Sequence, residues 1–207
     1  MRRIASLENK HLGEDIFVVG GGRTVDYYPR EAFQGRTIIA VNQAGRKVDA
    51  TYTVRKENAT AGEGVPVIAS RHVAGMPGSG ENRADYVFDH NANLLDKINT
   101  EGCHPYGEKL IVSWSTITSA IHLAAFMGAG SVFLVGHDCA VLDGGATFKG
   151  YYDGVDALTS PGDYAAWLSK IGGQTAFMRD YLRDRYQANL FTLSPFIGLK
   201  HEGHEIE

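Results

Sequence analysis

Short apolar, β-branched runs punctuate the chain at Asp15–Val19, Thr37–Val41, Thr51–Val54, Val65–Ala69, Tyr86–Phe88, Leu110–Val112 and Ser131–Val135. Such runs are apolar on both faces, which is what a central parallel strand needs when helices cover both sides of a sheet. Two later segments switch to a helical period. Over Ser115–Gly128, Ile117, Ile121, Ala124 and Ala125 recur at helical spacing; Ser113 or Ser115 can cap the start, and Gly128 and Gly130 end it. Over Gln174–Gln187, Phe177, Met178, Tyr181, Leu182 and Tyr186 form one stripe, with Arg179, Asp180, Arg183 and Asp184 on the opposite side. Leu190–Pro195 reads as a last strand. Strand–helix–strand units joined by short connections predict an α/β fold, a doubly wound, mostly parallel sheet with helices on both faces.

With 207 residues, the pattern fits a single domain spanning 1–207. Two stretches break the periodicity. They predict long loops at about 70–84, around Arg71–Arg83, and at about 140–162, which contains the Gly-rich Gly144–Gly154. The 25 glycines exceed the usual level of about 7% and point to tight turns or backbone-lined sites. Cys103 and Cys139 form neither a disulfide framework nor a zinc-ligand spacing. A formal charge of −4 argues against a surface built to neutralise many phosphates, so nucleic acid is not an expected partner. No apolar run follows Arg2 and Arg3, and none is long enough to span a bilayer. The expectation is a cytoplasmic protein that does not engage a membrane. Assembly into a homo-oligomer is left open.

Three places can carry chemistry. Asp15–Val19 runs straight into Gly20-Gly21-Gly22-Arg23-Thr24, where glycines would let backbone N–H groups approach an anion. The same glycines would equally serve a purely structural turn. Asn42, at the end of Thr37–Val41, is placed either to hydrogen-bond a ribose or base, or to close a turn. The third place runs from Ser113 to Asp138. Hydroxyls at Ser115 and Thr116 open a helix and can cap it or cradle a phosphate. Gly136-His137-Asp138 then ends the Ser131–Val135 strand. There Asp138 can bind Mg²⁺ or a nucleotide hydroxyl, and His137 is either a structural or a catalytic histidine.

The order GGGRT, VNQA, VDATYTV, SWSTITSAIHLAAFMGAGSVFLVGHD and LFTLSP resembles the 6-hydroxymethylpterin diphosphokinase-like family. That family is related to the central domain of the motility accessory factors that glycosylate flagellin. It is similar in plan to bacterial sialyltransferases that use CMP-sialic acid. The resemblance covers residues 15–55 and 108–198. It implies a Rossmann-like nucleotide-binding domain with Gly20, Gly21, Gly22, Thr24, Asn42, Ser115, Thr116, Gly136 and Asp138 at the donor site. The chain departs from the family in three respects. Arg55 stands where the family often has an Asp, Ser160–Gly173 contains no histidine, and Tyr151 and Tyr152 follow Asp138 at a distance rather than closely.

The expected activity is therefore a glycosyltransferase-like reaction using a nucleotide-sugar donor and an acceptor not named by the sequence. Arg55, Arg71, Tyr151 and Tyr152 would stabilise the departing phosphate, and His137, Asp138 or His72 would serve as the base. One alternative is a Mg²⁺-ATP-dependent diphosphokinase acting on a hydroxymethyl heterocycle, with Asp138 as metal ligand. A nucleotide-binding module without chemistry is the other. No cofactor is firmly implied, and Mg²⁺ enters only with the diphosphokinase.

Overall fold

The first strand that both sequence pattern and structure place at the centre is Asp15–Val19, with neighbours on both of its sides. The computed structural model describes residues 2–55, 64–70, 84–93, 109–113, 115–142, 145–151 and 161–193. Its strands are β1 (Arg2–Arg3), β2 (Asp15–Val19), β3 (Thr37–Val41), β4 (Tyr52–Arg55), β5 (Val67–Ser70), β6 (Tyr86–Asn93), β7 (Lys109–Val112), β8 (Ser131–Val135) and β9 (Asn189–Thr192). Two α-helices are described, α1 (Thr116–Phe126) and α2 (Pro161–Tyr186). The spatial order is β1-β6-β5-β4-β3-β2-β8-β9, with β7 also on β6. Every pairing of these strands is parallel. This is a Rossmann-like α/β fold. Strands β2 to β6 step outward in one direction, and the chain then returns to place β8 on the free side of β2. The order reverses between β2 and β8.

Alternation along each strand divides the core in two. Ile16, Val18, Ile39, Val41, Tyr52, Val54, Val132 and Leu134 face α1 and α2. On the other face Val19, Ile38, Ala40 and Val135 pack with Val25, Phe33, Ala44, Val48 and Phe148. Among the described residues the cover there comes from short 3-10 helices, Arg23–Tyr27, Arg30–Phe33 and Asn42–Arg46, rather than from α-helices. Phe17, Phe133 and Phe191 lie in register across β2, β8 and β9. Their rings stack at 5.2 Å between each neighbouring pair.

Ser115 caps α1, its hydroxyl accepting from the Ile117 amide. The periodicity predicted one apolar stripe, yet nearly the whole circumference of α1 is buried. It is buried on nearly every side because it lies between the sheet and α2, and its buried polar residues Thr118, Ser119 and His122 are each hydrogen-bonded. Its C-terminal carbonyls are taken by the segment before β2: Asn9 N–H donates to Phe126, His11 N–H to Met127 and Gly13 N–H to Gly128. Helix α2 starts 13 residues before the predicted Gln174, because it runs through Gly172 and Gly173, which interrupt the apolar pattern.

Helix α1 also treats β7 as a strand would. The Ile111 amide donates to His122 Nδ1 at 2.9 Å, and Ser119 Oγ donates to the Ile111 carbonyl at 2.9 Å. With Nδ1 accepting, the neutral ring carries its proton on Nε2 and donates it to Tyr186 Oη at 2.8 Å. Burial pushes the His122 pKa down to about 3.

Among the described residues no helix is long and apolar enough to cross a membrane.

Candidate functional site

Because all the strands are parallel, the residues that follow β2, β3, β4 and β8 gather along one edge of the sheet. These are Gly20, Asn42, Arg55 at the last position of β4, and Gly136. The register pairs Val41 with Val54, so Asn42 and Arg55 end neighbouring strands. The first turn of α1 reaches the same edge: a Cβ built on Gly20 would lie 3.0 Å from Ile117 Cδ1.

The turns after β2 and β8 lock together. Gly20 N–H donates to the Val135 carbonyl at 2.8 Å, and Gly22 N–H to the Gly136 carbonyl at 2.6 Å. Thr24 N–H donates to Asp138 Oδ2 at 2.9 Å, and the Thr24 hydroxyl donates to Asp138 Oδ1. Asp138 is buried, and its carboxylate thus acts as a bracket on the turn opposite. This close apposition explains the glycines. A Cβ on Gly22 would lie 2.7 Å from Asp138 Oδ2, and one on Gly21 2.4 Å from Tyr151 Cε2. Gly136 has φ +64 and leaves no room beside Val25. The close approach at Gly21 is therefore made by the Tyr151 ring. With Gly20, Gly22 and Thr24 engaged, the turn keeps the Gly21 and Arg23 amides as donors without an acceptor among the described residues.

His137 is buried against α2. The Thr175 hydroxyl gives its proton to the Ile171 carbonyl at 3.0 Å. It must then accept from His137 Nε2–H, 2.6 Å away. Burial lowers the His137 pKa to about 4, against the opposing pull of Asp138. The ring is neutral, and any proton it accepts goes to Nδ1. Cys139 Sγ lies 3.5 Å from His137 Nε2. Burial first, and then Asp138, pushes this thiol up to about 12, so it stays protonated at neutral pH.

The hydroxyls before and within α1 divide by role. Ser113 Oγ and Thr118 Oγ1 bond each other at 2.5 Å, Ser119 holds β7, and Ser115 is the cap. Thr116 is half-buried in the first turn. Asn42 adopts φ +52, a left-handed conformation that asparagine tolerates better than most residues, and opens the 3-10 helix Asn42–Arg46. Arg55 is buried, and that burial lowers its pKa, with Asp85 acting in the opposite sense. Arg71, His72 and Tyr152 lie outside the described residues, as do nearly all of the 70–84 loop and, within Gly144–Gly154, residues 144 and 152–154.

Sequence reasoning missed Asp26. Its carboxylate accepts from Lys47 Nζ at 2.8 Å and from the Lys149 amide at 2.9 Å, with Arg23 Nη1 at 3.2 Å. Burial acts to raise its pKa, but Lys47, the Lys149 amide and Arg23 together outweigh it, and the net shift is downward. The chain signal available was the i,i+3 spacing of Arg23 and Asp26; Lys47 and Lys149 are distant in sequence. Phe148 was missed too, although it is the aromatic plug of the second core.

Among the described residues no group of three or more His, Cys, Asp or Glu side chains is placed to hold a metal ion. No family model, curated protein or solved structure matches the chain.

Proposed function

We propose that the chain is a nucleotide-dependent transferase, glycosyltransferase-like in mechanism, that holds its donor in the crevice outside the carboxyl ends of β2 and β8. The observation that carries this reading is the reversal of strand order between β2 and β8, flanked by the Gly20–Thr24 and Gly136–Cys139 turns. Open α/β sheets bind ligands at such a reversal. The Gly21 and Arg23 amides and the first turn of α1 offer donors to phosphate oxygens. Asn42 and Arg55 extend the same edge and suit a ribose or base and a negative group, respectively. The sequence resemblance supports the same assignment. Asp138 already holds Thr24 through both oxygens, which favours donor binding without a divalent metal over the diphosphokinase alternative. For acceptor deprotonation, His137 would work through Nδ1.

A thermal-shift panel of CMP, UDP, GDP and ATP, with and without Mg²⁺, tests the reading. A true donor nucleotide at 100 times its dissociation constant stabilises the fold by about 2.7 kcal/mol. Asn42→Gly keeps the left-handed backbone while removing the carboxamide, so it should fold normally and bind the same nucleotide about tenfold or more weakly. No shift with any nucleotide would sink the proposal. A Mg²⁺-dependent shift abolished by EDTA would move the diphosphokinase to first place. Donor hydrolysis separates a transferase from a module that only binds.

A further inference from the structure

Residues 145–151 lie across the Gly20–Gly22 turn as a strap. Phe148 N–H donates to the Gly21 carbonyl at 2.9 Å, Lys149 N–H donates to Asp26 Oδ2 at 2.9 Å, and Arg46 Nη1 reaches the Gly150 carbonyl at 3.4 Å. The Tyr151 ring covers Gly21 and meets the Phe148 ring edge-on, with centroids 5.0 Å apart. Only Phe148 is deeply buried; Lys149 and Gly150 are exposed. Asp26 is the charged point of attachment between the strap and the body of the protein, because it also holds Lys47 and Arg23. Gly150 has φ +80 with open space where a Cβ would stand, so its backbone conformation rather than crowding demands glycine.

We propose that residues 145–151 form a lid latched by Asp26, which opens as a unit to expose the Gly21 and Arg23 amides to a phosphate group. Closed, the Tyr151 ring occupies the ground over Gly21 that an incoming phosphate needs. A ligand that binds only the open form has its apparent affinity reduced by the open fraction. The ligand class rests on the nucleotide reading above, whereas the lid itself rests on the strap contacts.

Hydrogen exchange read by mass spectrometry on the full chain tests it, comparing wild type with Asp26→Asn and Gly150→Ala, alongside calorimetric titration of inorganic pyrophosphate. Asp26→Asn weakens the latch, because it removes the charge that holds Lys47 and Arg23 and leaves a single side-chain oxygen to accept from Lys149. Gly150→Ala strains the closed strap without changing charge, so it separates lid opening from a simple gain in positive potential around Arg23 and Lys47. The expected result is exchange in peptides covering 145–151 at least tenfold faster in both variants, with β2 and β3 unchanged. Pyrophosphate should bind the variants more tightly by a similar factor. Unchanged exchange in the strap, or faster exchange throughout β2 and β3 as well, overturns the lid. Weaker pyrophosphate binding in both variants overturns it too, since the strap would then be part of the binding surface. Faster strap exchange with no pyrophosphate binding to any of the three proteins supports the lid and overturns the nucleotide reading.

Discussion

Thr24 and Asp138 stand 114 residues apart and share two hydrogen bonds across the crevice between β2 and β8, one from the backbone amide and one from the hydroxyl of Thr24. The carboxylate thereby ties together the two turns that flank the reversal of strand order.

That pairing predicts a stability defect before any ligand is added. Asp138→Asn replaces one accepting oxygen with an NH₂ group that faces a donor, and should cost about 1–3 kcal/mol of folding stability. Thr24→Ala keeps the amide bond and should cost less. A double-mutant cycle by urea unfolding should return a coupling of about 0.5–3 kcal/mol. Additive effects within error would show that the two residues act independently.

Acid should destabilise the protein through two buried histidines. An unfolded histidine has a pKa of about 6.5, whereas His122 titrates near 3 and His137 near 4 when folded. Above the unfolded value both states are neutral and the stability is fully present. Below it the unfolded chain takes up protons that the folded rings refuse, so stability falls until the folded values are reached. The slope should approach about 1.4 kcal/mol per pH unit for each histidine once the pH is well below 6.5. Urea midpoints at pH 7, 6 and 5 measure it, and a variant lacking either ring should show a shallower decline. A flat profile for wild type would contradict the buried, neutral assignment.

Gly21→Ala places a methyl group against the Tyr151 ring, and overpacking of this kind costs about 1–3 kcal/mol. In a Tyr151→Ala background the same substitution should cost much less, because the colliding ring is gone. Thermal unfolding of the four proteins provides the comparison. An equal cost in both backgrounds would mean that Gly21 is required for another reason.

Gly173 sits exposed within α2, and a Cβ there would meet nothing within 4 Å. Glycine inside a helix is less favourable than alanine by about 0.8–1 kcal/mol, so Gly173→Ala should raise the melting temperature with no loss of ligand response. A lower melting temperature would show that the helix bends or packs differently there.

The strands were legible because a central parallel strand must be apolar on both faces. Asp15–Val19, Thr37–Val41 and Ser131–Val135 stand in the structure at their predicted bounds. Strand β6 runs beyond Phe88 into Asp89–Asn93, a polar stretch with no apolar run to mark it, and that half pairs with β7. The two-residue β1 and the turn Ile4–Leu7 are too short for a periodicity to register, although Ile4 and Leu7 are fully buried. At the site, the positions of Gly20–Gly22, Asn42 and Asp138 at strand ends followed from the pattern. Their partners did not: Thr24 with Asp138, Gly21 with Tyr151 and Asp26 with Lys149 are long-range pairs that no local spacing encodes. His122 looked like one more member of an apolar helix, because only the tertiary fold brings Ile111 and Tyr186 to its two nitrogens.

That histidine closes one backbone position of β7, which among the described strands pairs only with β6. An edge strand with bare N–H and C=O groups is a template on which another chain can grow. At Ile111 both groups are already answered by His122 and Ser119. A second copy of the protein therefore finds no vacant backbone partner at that residue. The protection exists only once α1 has docked and while the His122 ring stays uncharged. Undocking α1 would offer both Ile111 groups to another strand, whereas protonating His122 would free the amide alone.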